Sequence, residues 1–175
     1  MLKLDFWPLN GLDSRVAGKL LLAQMYEELT GEEMPPIEKA PRGKPYFPGS
    51  PWHFSISHTK AHAFCVLSDR PVGIDAEEAD RNINLRLADK ILSPKERARY
   101  DGAPDKRQAL LRLWVLKEAA AKLTGEGLRG YPNHTEFDLN DPRVQKLGGC
   151  MVAVIQAEKL PVEDCSTPQE EAEAL

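Results

Sequence analysis

The chain has 175 residues, enough for one sizeable domain or two small halves sharing one core, but too few for two independent domains. Hydrophobic residues make up 42% and charged residues 29%, which excludes a chain dominated by disorder, and a formal net charge of −4 excludes a global positive field drawing it to nucleic acid. No segment approaches the roughly 20 apolar residues of a membrane span, and the amino terminus has no apolar run of signal-peptide length, so a cytoplasmic protein without membrane attachment is expected.

Along the chain, Leu20, Leu21, Ala23, Met25, Tyr26 and Leu29 form a helical apolar stripe from Asp13 to Thr30, with Asp13 or Ser14 as N-cap and Gly31 as stop. Glu32 to Pro51 is rich in proline and glycine and predicts an ordered loop. His53–His58 and Ala63–Leu67 predict a pair of short strands, and Val72–Glu77 a third. Ser93-Pro-Lys-Glu96 combines an N-cap serine, a first-turn proline and a glutamate three residues on, a capping box that opens a helix. Asp105 to Thr124 is the strongest helix, with Leu110, Leu113, Leu116, Ala120 and Leu123 on one stripe and Gly125 past its end. After a loop carrying Gly127, Gly130 and Pro132, Thr135–Leu139 and Cys150–Ala157 predict strands, and the acidic tail over 161–175 is expected to fray. The order implies an α+β fold in two halves, about 1–68 and 71–160, joined near Ser68–Pro71. Three cysteines without CxxC spacing suggest neither a disulfide framework nor a zinc site; Cys65 and Cys150 lie in apolar runs and are expected to be buried.

Two features carry chemistry. Alternation along a strand puts Asp75 and Glu77 on one face, with Cα atoms roughly 7 Å apart. Two anions on one patch repel unless a cation or donors compensate them, and magnesium accepts such oxygens readily. Alone, Asp-x-Glu at a strand end is better explained as a solvated edge. On the long helix, Trp114, Glu118 and Lys122 are spaced four apart along one side, with Lys117 about 100° from Glu118. Alone again, this is an ordinary Glu-to-Lys surface pair.

Together they say more. Gly73-Ile-Asp75-Ala-Glu77, followed by Trp114-Val-Leu-Lys117-Glu118-Ala-Ala-Ala-Lys122, resembles the two signature motifs of the 4′-phosphopantetheinyl transferases. Upstream stand Gly43-Lys44-Pro45, then Phe54-Ser-Ile-Ser57-His58, then Pro71-Val72, in the order of the surfactin-type branch; KEA at Lys117–Ala119 is similar to its tryptophan/KEA subgroup. The resemblance implies two similar α+β halves related by a pseudo-twofold axis, with the active site between them. It implies transfer of the 4′-phosphopantetheine arm of coenzyme A to a serine of an apo acyl or peptidyl carrier protein. Mg2+ would be held by Asp75, Glu77 and Glu118. Glu118, or a metal-bound water near it, would be the base, with Asp75 and Lys122 completing the catalytic set. Lys44, Ser57, His58, Lys117, Lys122 and Arg15 would bind coenzyme A.

Lys95, Arg97, Arg99, Lys106, Arg107 and Arg112 lie between the motifs and form a candidate docking face for an acidic carrier, or an ordinary solvated helix surface. The family usually has a further helical segment before the first predicted helix, where this chain has only 12 residues ahead of Asp13. The nucleotide end is therefore expected to use fewer basic residues or to be completed by another chain; a monomer is the first expectation. A metal-dependent nuclease and a non-catalytic module binding coenzyme A or carriers are the rival readings, the first disfavoured by the acidic balance.

Overall fold

Two three-stranded antiparallel sheets carry the fold, each with one long helix on an outer face. The computed structural model describes residues 1–127 and 135–158. In chain order they form β1 (Leu2–Pro8), α1 (Ser14–Thr30), the two-residue strands β2 (Glu38–Lys39) and β3 (Pro45–Tyr46), β4 (His53–His58), β5 (His62–Ser68) and β6 (Val72–Glu78). A 3₁₀ turn at Leu85–Leu87 leads into α2 (Ala88–Ile91), α3 (Pro94–Gly102), α4 (Lys106–Thr124), β7 (Val144–Leu147) and β8 (Cys150–Gln156). The sheet orders are β1-β5-β4 and β6-β8-β7. The expected α+β class is the one observed. Among the described residues, no helix is long and apolar enough to cross a membrane.

The helix ends follow local chemistry. Asp13 Oδ1 accepts from the Arg15 and Val16 amides at 2.9 and 3.1 Å, and Asp105 from Gln108 at 3.0 Å. Ser93 and Glu96 close a full capping box. Gly31 and Gly125 end α1 and α4 with φ of 74°, a conformation that costs glycine little.

Three apolar clusters result. Leu21, Leu22, Met25 and Tyr26 of α1 pack on Phe54, Cys65 and Leu67. Leu110, Leu113 and Leu116 of α4 pack on Met151, Ala153 and Ile155. Phe64 and Val66 meet Ile74, Ala76 and Val152 between the sheets. β5 is thus buried on both faces, which explains its unbroken apolar run. Cys65 and Cys150 are buried, as expected; Cys165 and the 161–175 tail lie outside the described residues, as do Gly130 and Pro132.

β4 and β6 do not share a backbone ladder. Instead, the Ile74 amide donates to Ser55 Oγ at 3.2 Å and the Ala76 amide to Ser57 Oγ at 3.1 Å. The Ser-x-Ser alternation of β4 matches the period of an edge strand and satisfies its buried donors with hydroxyls.

Several elements differ from the sequence expectation. β1 was not foreseen, yet Leu4 and Phe6 pack against the inter-sheet cluster while Trp7 packs on the opposite side, and the strand pairs with β5 from Leu2↔Ser68 to Pro8↔His62. Thr135–Leu139 is not a strand. Side chains of α3 and α4 take its backbone groups: Glu96 Oε1 accepts from the Phe137 amide at 2.8 Å, and Arg112 donates to the Leu139 carbonyl at 2.6 Å. The strand that pairs with β8 is β7, over Val144–Leu147.

Gly73 sets the distance between β6 and α4. A Cβ there would lie 2.0 Å from the Ala119 carbonyl oxygen and 2.5 Å from the Leu123 nitrogen, and both obstacles are backbone. Gly73→Ala is therefore expected to cost about 3 kcal/mol of stability, the upper end of overpacking, because no side-chain rotamer can relieve the clash. Urea unfolding measures this; a loss under about 0.5 kcal/mol contradicts the close approach.

Candidate active site

Asp75 and Glu77 share the face of β6 that Gly73 opens to α4, while Ile74 and Ala76 turn into the inter-sheet core. On α4, Trp114, Glu118 and Lys122 run in one column along this face. Lys122 Nζ donates to Asp75 Oδ1 at 2.7 Å and Trp114 Nε1 to Glu77 Oε1 at 3.1 Å, so Glu118 falls between a pair at each end. Arg81, on the turn after β6, also donates to Glu77 Oε1, and its guanidinium lies over the Trp114 ring at 5.7 Å.

Burial is the main reason all three carboxyls sit above their usual range. Asp75 is pushed up by desolvation against the pull of Lys122. Glu77 is pushed up by desolvation and the charge of Asp75, and Glu118 by desolvation, Asp75 and Glu77. Asp75 is 6% exposed, and its Oδ2 is buried with no hydrogen-bond partner. That oxygen is a hard donor atom that no amide or other hydrogen-bond donor meets, which suits a divalent cation. Among the described residues, no three His, Cys, Asp or Glu side chains are already gathered as a ligand set; here the charges of Asp75 and Glu77 are met by Lys122 and Arg81, in the place a cation would take.

Beside the column opens a pocket of about 320 Å³, with Glu118, Lys122, Phe54, Ile56, Arg42 and Lys44 in its walls. Lys44 Nζ donates to the Leu123 carbonyl in the last turn of α4, where the helix end attracts a cation, and burial lowers its pKa. Arg42 pairs with Glu126 at 3.0 Å across the rim, both side chains exposed.

Ser57, expected to meet the nucleotide, is 4% exposed, and its hydroxyl is engaged within the protein. It donates to Asp75 Oδ1 at 3.2 Å and accepts from the Ala76 amide and from Lys122 Nζ, each at 3.1 Å. His58 and Arg15 are exposed, at the end of β4 and in the first turn of α1, and neither is among the residues lining the pocket.

Lys117 corrects its expected assignment to coenzyme A. It points into the core, where Nζ lies 2.8 Å from Glu96 Oε2 and donates to the Thr135 carbonyl at 2.8 Å. Both side chains are at most 1% exposed, and desolvation lowers the Lys117 pKa despite Glu96. One step along the helix turned it about 100° away from Glu118.

The basic residues between the motifs are largely engaged by their own surroundings. Arg97 pairs with Asp89 and Asp101, Lys95 with Glu136, and Arg99 with Asp138. Lys106 and Arg112 donate to backbone carbonyls. The sequence reading missed Arg81; its four-residue spacing from Glu77 was the available signal.

Residues 71–154, which hold the column and the strand carboxylates, match the family model of the 4′-phosphopantetheinyl transferase superfamily. The chain is 34% identical over 124 residues to the 4′-phosphopantetheinyl transferase psf-1 of Bacillus pumilus, covering 67% of this chain and 53% of the relative. It is 34% identical over 89 residues to the 4′-phosphopantetheinyl transferase of Bacillus subtilis, covering 49% and 39%. With the 4′-phosphopantetheinyl transferase HetI of a Nostoc species it shares 35% over 95 residues, covering 50% and 40%. The chain belongs to the 4′-phosphopantetheinyl transferase superfamily, on the surfactin-type branch. It spans about half the length of the curated relatives it matches.

The carboxylate cluster has a stability cost with a definite sign. Glu118 binds its proton more tightly in the fold than in the unfolded chain, so stability falls as pH rises from the ordinary value of 4.5 through the raised one. Glu118→Gln is expected to stabilise the protein at pH 7 by about 1 kcal/mol, with the gain vanishing toward pH 4. Urea titrations at both pH values check this, and a variant less stable than wild type at pH 7 contradicts it.

Proposed function

We propose that this protein transfers the 4′-phosphopantetheine group of coenzyme A to a serine of an apo acyl or peptidyl carrier protein, with Mg2+, and releases adenosine 3′,5′-bisphosphate. The observation that carries the reading is Glu118: a half-buried carboxyl between the Lys122–Asp75 and Trp114–Glu77 pairs, in the wall of a pocket shared with Lys44. The activity for which the two Bacillus relatives are named supports the same reaction.

In the reaction, the carrier serine Oγ forms a bond to the pantetheine-side phosphorus of the diphosphate. The bond from that phosphorus to the bridging oxygen breaks, and its electron pair leaves with the adenosine bisphosphate. The serine proton passes to Glu118, directly or through one water; burial that raises this carboxyl brings it nearer the working pH of a base. Asp75, Glu77 and Glu118 would hold Mg2+, which supplies charge neutralisation to the diphosphate when bound. Lys122, held by Asp75 and Ser57, stabilises the departing phosphate or returns a proton to it. Lys44 offers a cation to the nucleotide across the pocket. Ser57 works as a positioning residue, because its hydroxyl ties Asp75 and Lys122 to the backbone of β6.

Incubating the protein with coenzyme A, Mg2+ and a panel of apo carriers, then weighing each carrier, tests the proposal. A gain of one phosphopantetheine is expected, and no transfer to any carrier refutes it. Glu118→Gln is expected to lower the rate at least about a hundredfold under the same conditions, the scale for losing a catalytic base.

Lys44→Ala tests the pocket separately. It is expected to raise KM for coenzyme A about tenfold with kcat nearly unchanged, because it removes ground-state binding rather than chemistry. A fall in kcat at constant KM would move Lys44 into the reaction.

A further inference from the structure

We infer that Arg81 is the resident counter-ion of Glu77 and competes with the divalent cation for that carboxylate, so that it sets the metal affinity of the site. The inference rests on the proposal that Mg2+ is held by Asp75, Glu77 and Glu118.

Glu77 Oε1 accepts two donors at once, the Trp114 indole N–H at 3.1 Å and the Arg81 guanidinium. A carboxylate oxygen has two lone-pair directions, so these donors fill both. A cation that takes this oxygen must displace one of them, and one that takes Oε2 still meets the Arg81 charge beside the same carboxylate. The indole is neutral and packs, partly buried, against the apolar cluster around α4, whereas the guanidinium is positive and is repelled by an arriving dication.

Arg81 is also the donor that can leave. Its side chain is 37% exposed, against 24% for Glu77, and it stands on a turn, with its amide bonded to the Glu78 carbonyl. What holds it inward is Glu77 and the face of Trp114 at 5.7 Å. Lys122 at the other end of the cluster is engaged with both Asp75 and Ser57 and is held more firmly. Asp75 Oδ2, buried and without a hydrogen-bond partner, gives the cation a first point of attachment that displaces nothing. The measured affinity is then the intrinsic affinity reduced by the fraction of molecules in which Arg81 has left Glu77.

Calorimetric titration of Mg2+ and Mn2+ into wild type, Arg81→Ala and Arg81→Lys tests this on the full chain, without substrate. Arg81→Ala is expected to bind about tenfold more tightly and Arg81→Lys about threefold, since lysine keeps the charge but loses the planar stacking on the indole. Saturating Mg2+ is expected to change tryptophan emission in wild type, and the change should largely disappear in Trp114→Phe and in Arg81→Ala. Binding by wild type with equal or weaker affinity in both Arg81 variants overturns the inference and leaves the metal proposal standing. Binding of neither ion to any of the proteins overturns both. Should Arg81→Ala fail to fold, the Arg81→Lys comparison decides alone: tighter binding supports competition, and equal or weaker binding refutes it.

Discussion

The contact between Gly73 and the Ala119 carbonyl is the constraint on which the site depends. Helix α4 lies so close to β6 that no side chain fits between them at this point. Closeness converts two unremarkable surface patterns into one constellation, because Glu118 and Lys122 then come to Asp75 at hydrogen-bonding or Coulombic range. A wider gap would leave a strand with two solvated acids and a helix with a solvated ion pair. The glycine therefore belongs to the chemistry although it contributes no functional group.

The same closeness explains why the site is costly to build. Three carboxyls are partly or fully withdrawn from water, Asp75 raises the proton affinity of Glu77 and both raise that of Glu118, and among the described residues Lys122 and Arg81 compensate them. The remaining fold supplies the stability that offsets this, through clusters such as Leu110, Leu113 and Leu116 on β8 and through the sealed Lys117–Glu96 pair. The column toward Asp75, Glu77 and the pocket and the residues that supply stability thus occupy different sides of α4, the latter turned to β8, α3 and the segment around Phe137.

Local chemistry made much of this legible in the sequence. Asp13, Ser93 with Glu96, Asp105 and Gly125 mark helix ends through bonds within a few residues, so no tertiary information is needed. The shared face of Asp75 and Glu77 and the column from Trp114 to Lys122 follow from the periods of strand and helix alone. The misses depend on distant partners. β1 gains its ladder from β5, about 60 residues away; Ser57 acquires its role only when β4 meets β6. Lys117 sits next to Glu118 in sequence, but a core containing Glu96 takes it. Thr135–Leu139 has the composition of a strand, and side chains of two helices claim its backbone first.

The hydroxyl seam between β4 and β6 has a mechanical consequence. Within each sheet a run of backbone hydrogen bonds must break together to separate two strands, whereas across the seam, among the described residues, two amide-to-serine bonds and the Ser57–Asp75 side-chain bond resist besides apolar packing. Such a joint yields to shear before either sheet does, and one of its two rivets, Ser57, also grips Asp75 and Lys122. A force that slides one sheet past the other would therefore be felt at Asp75 before either sheet came apart.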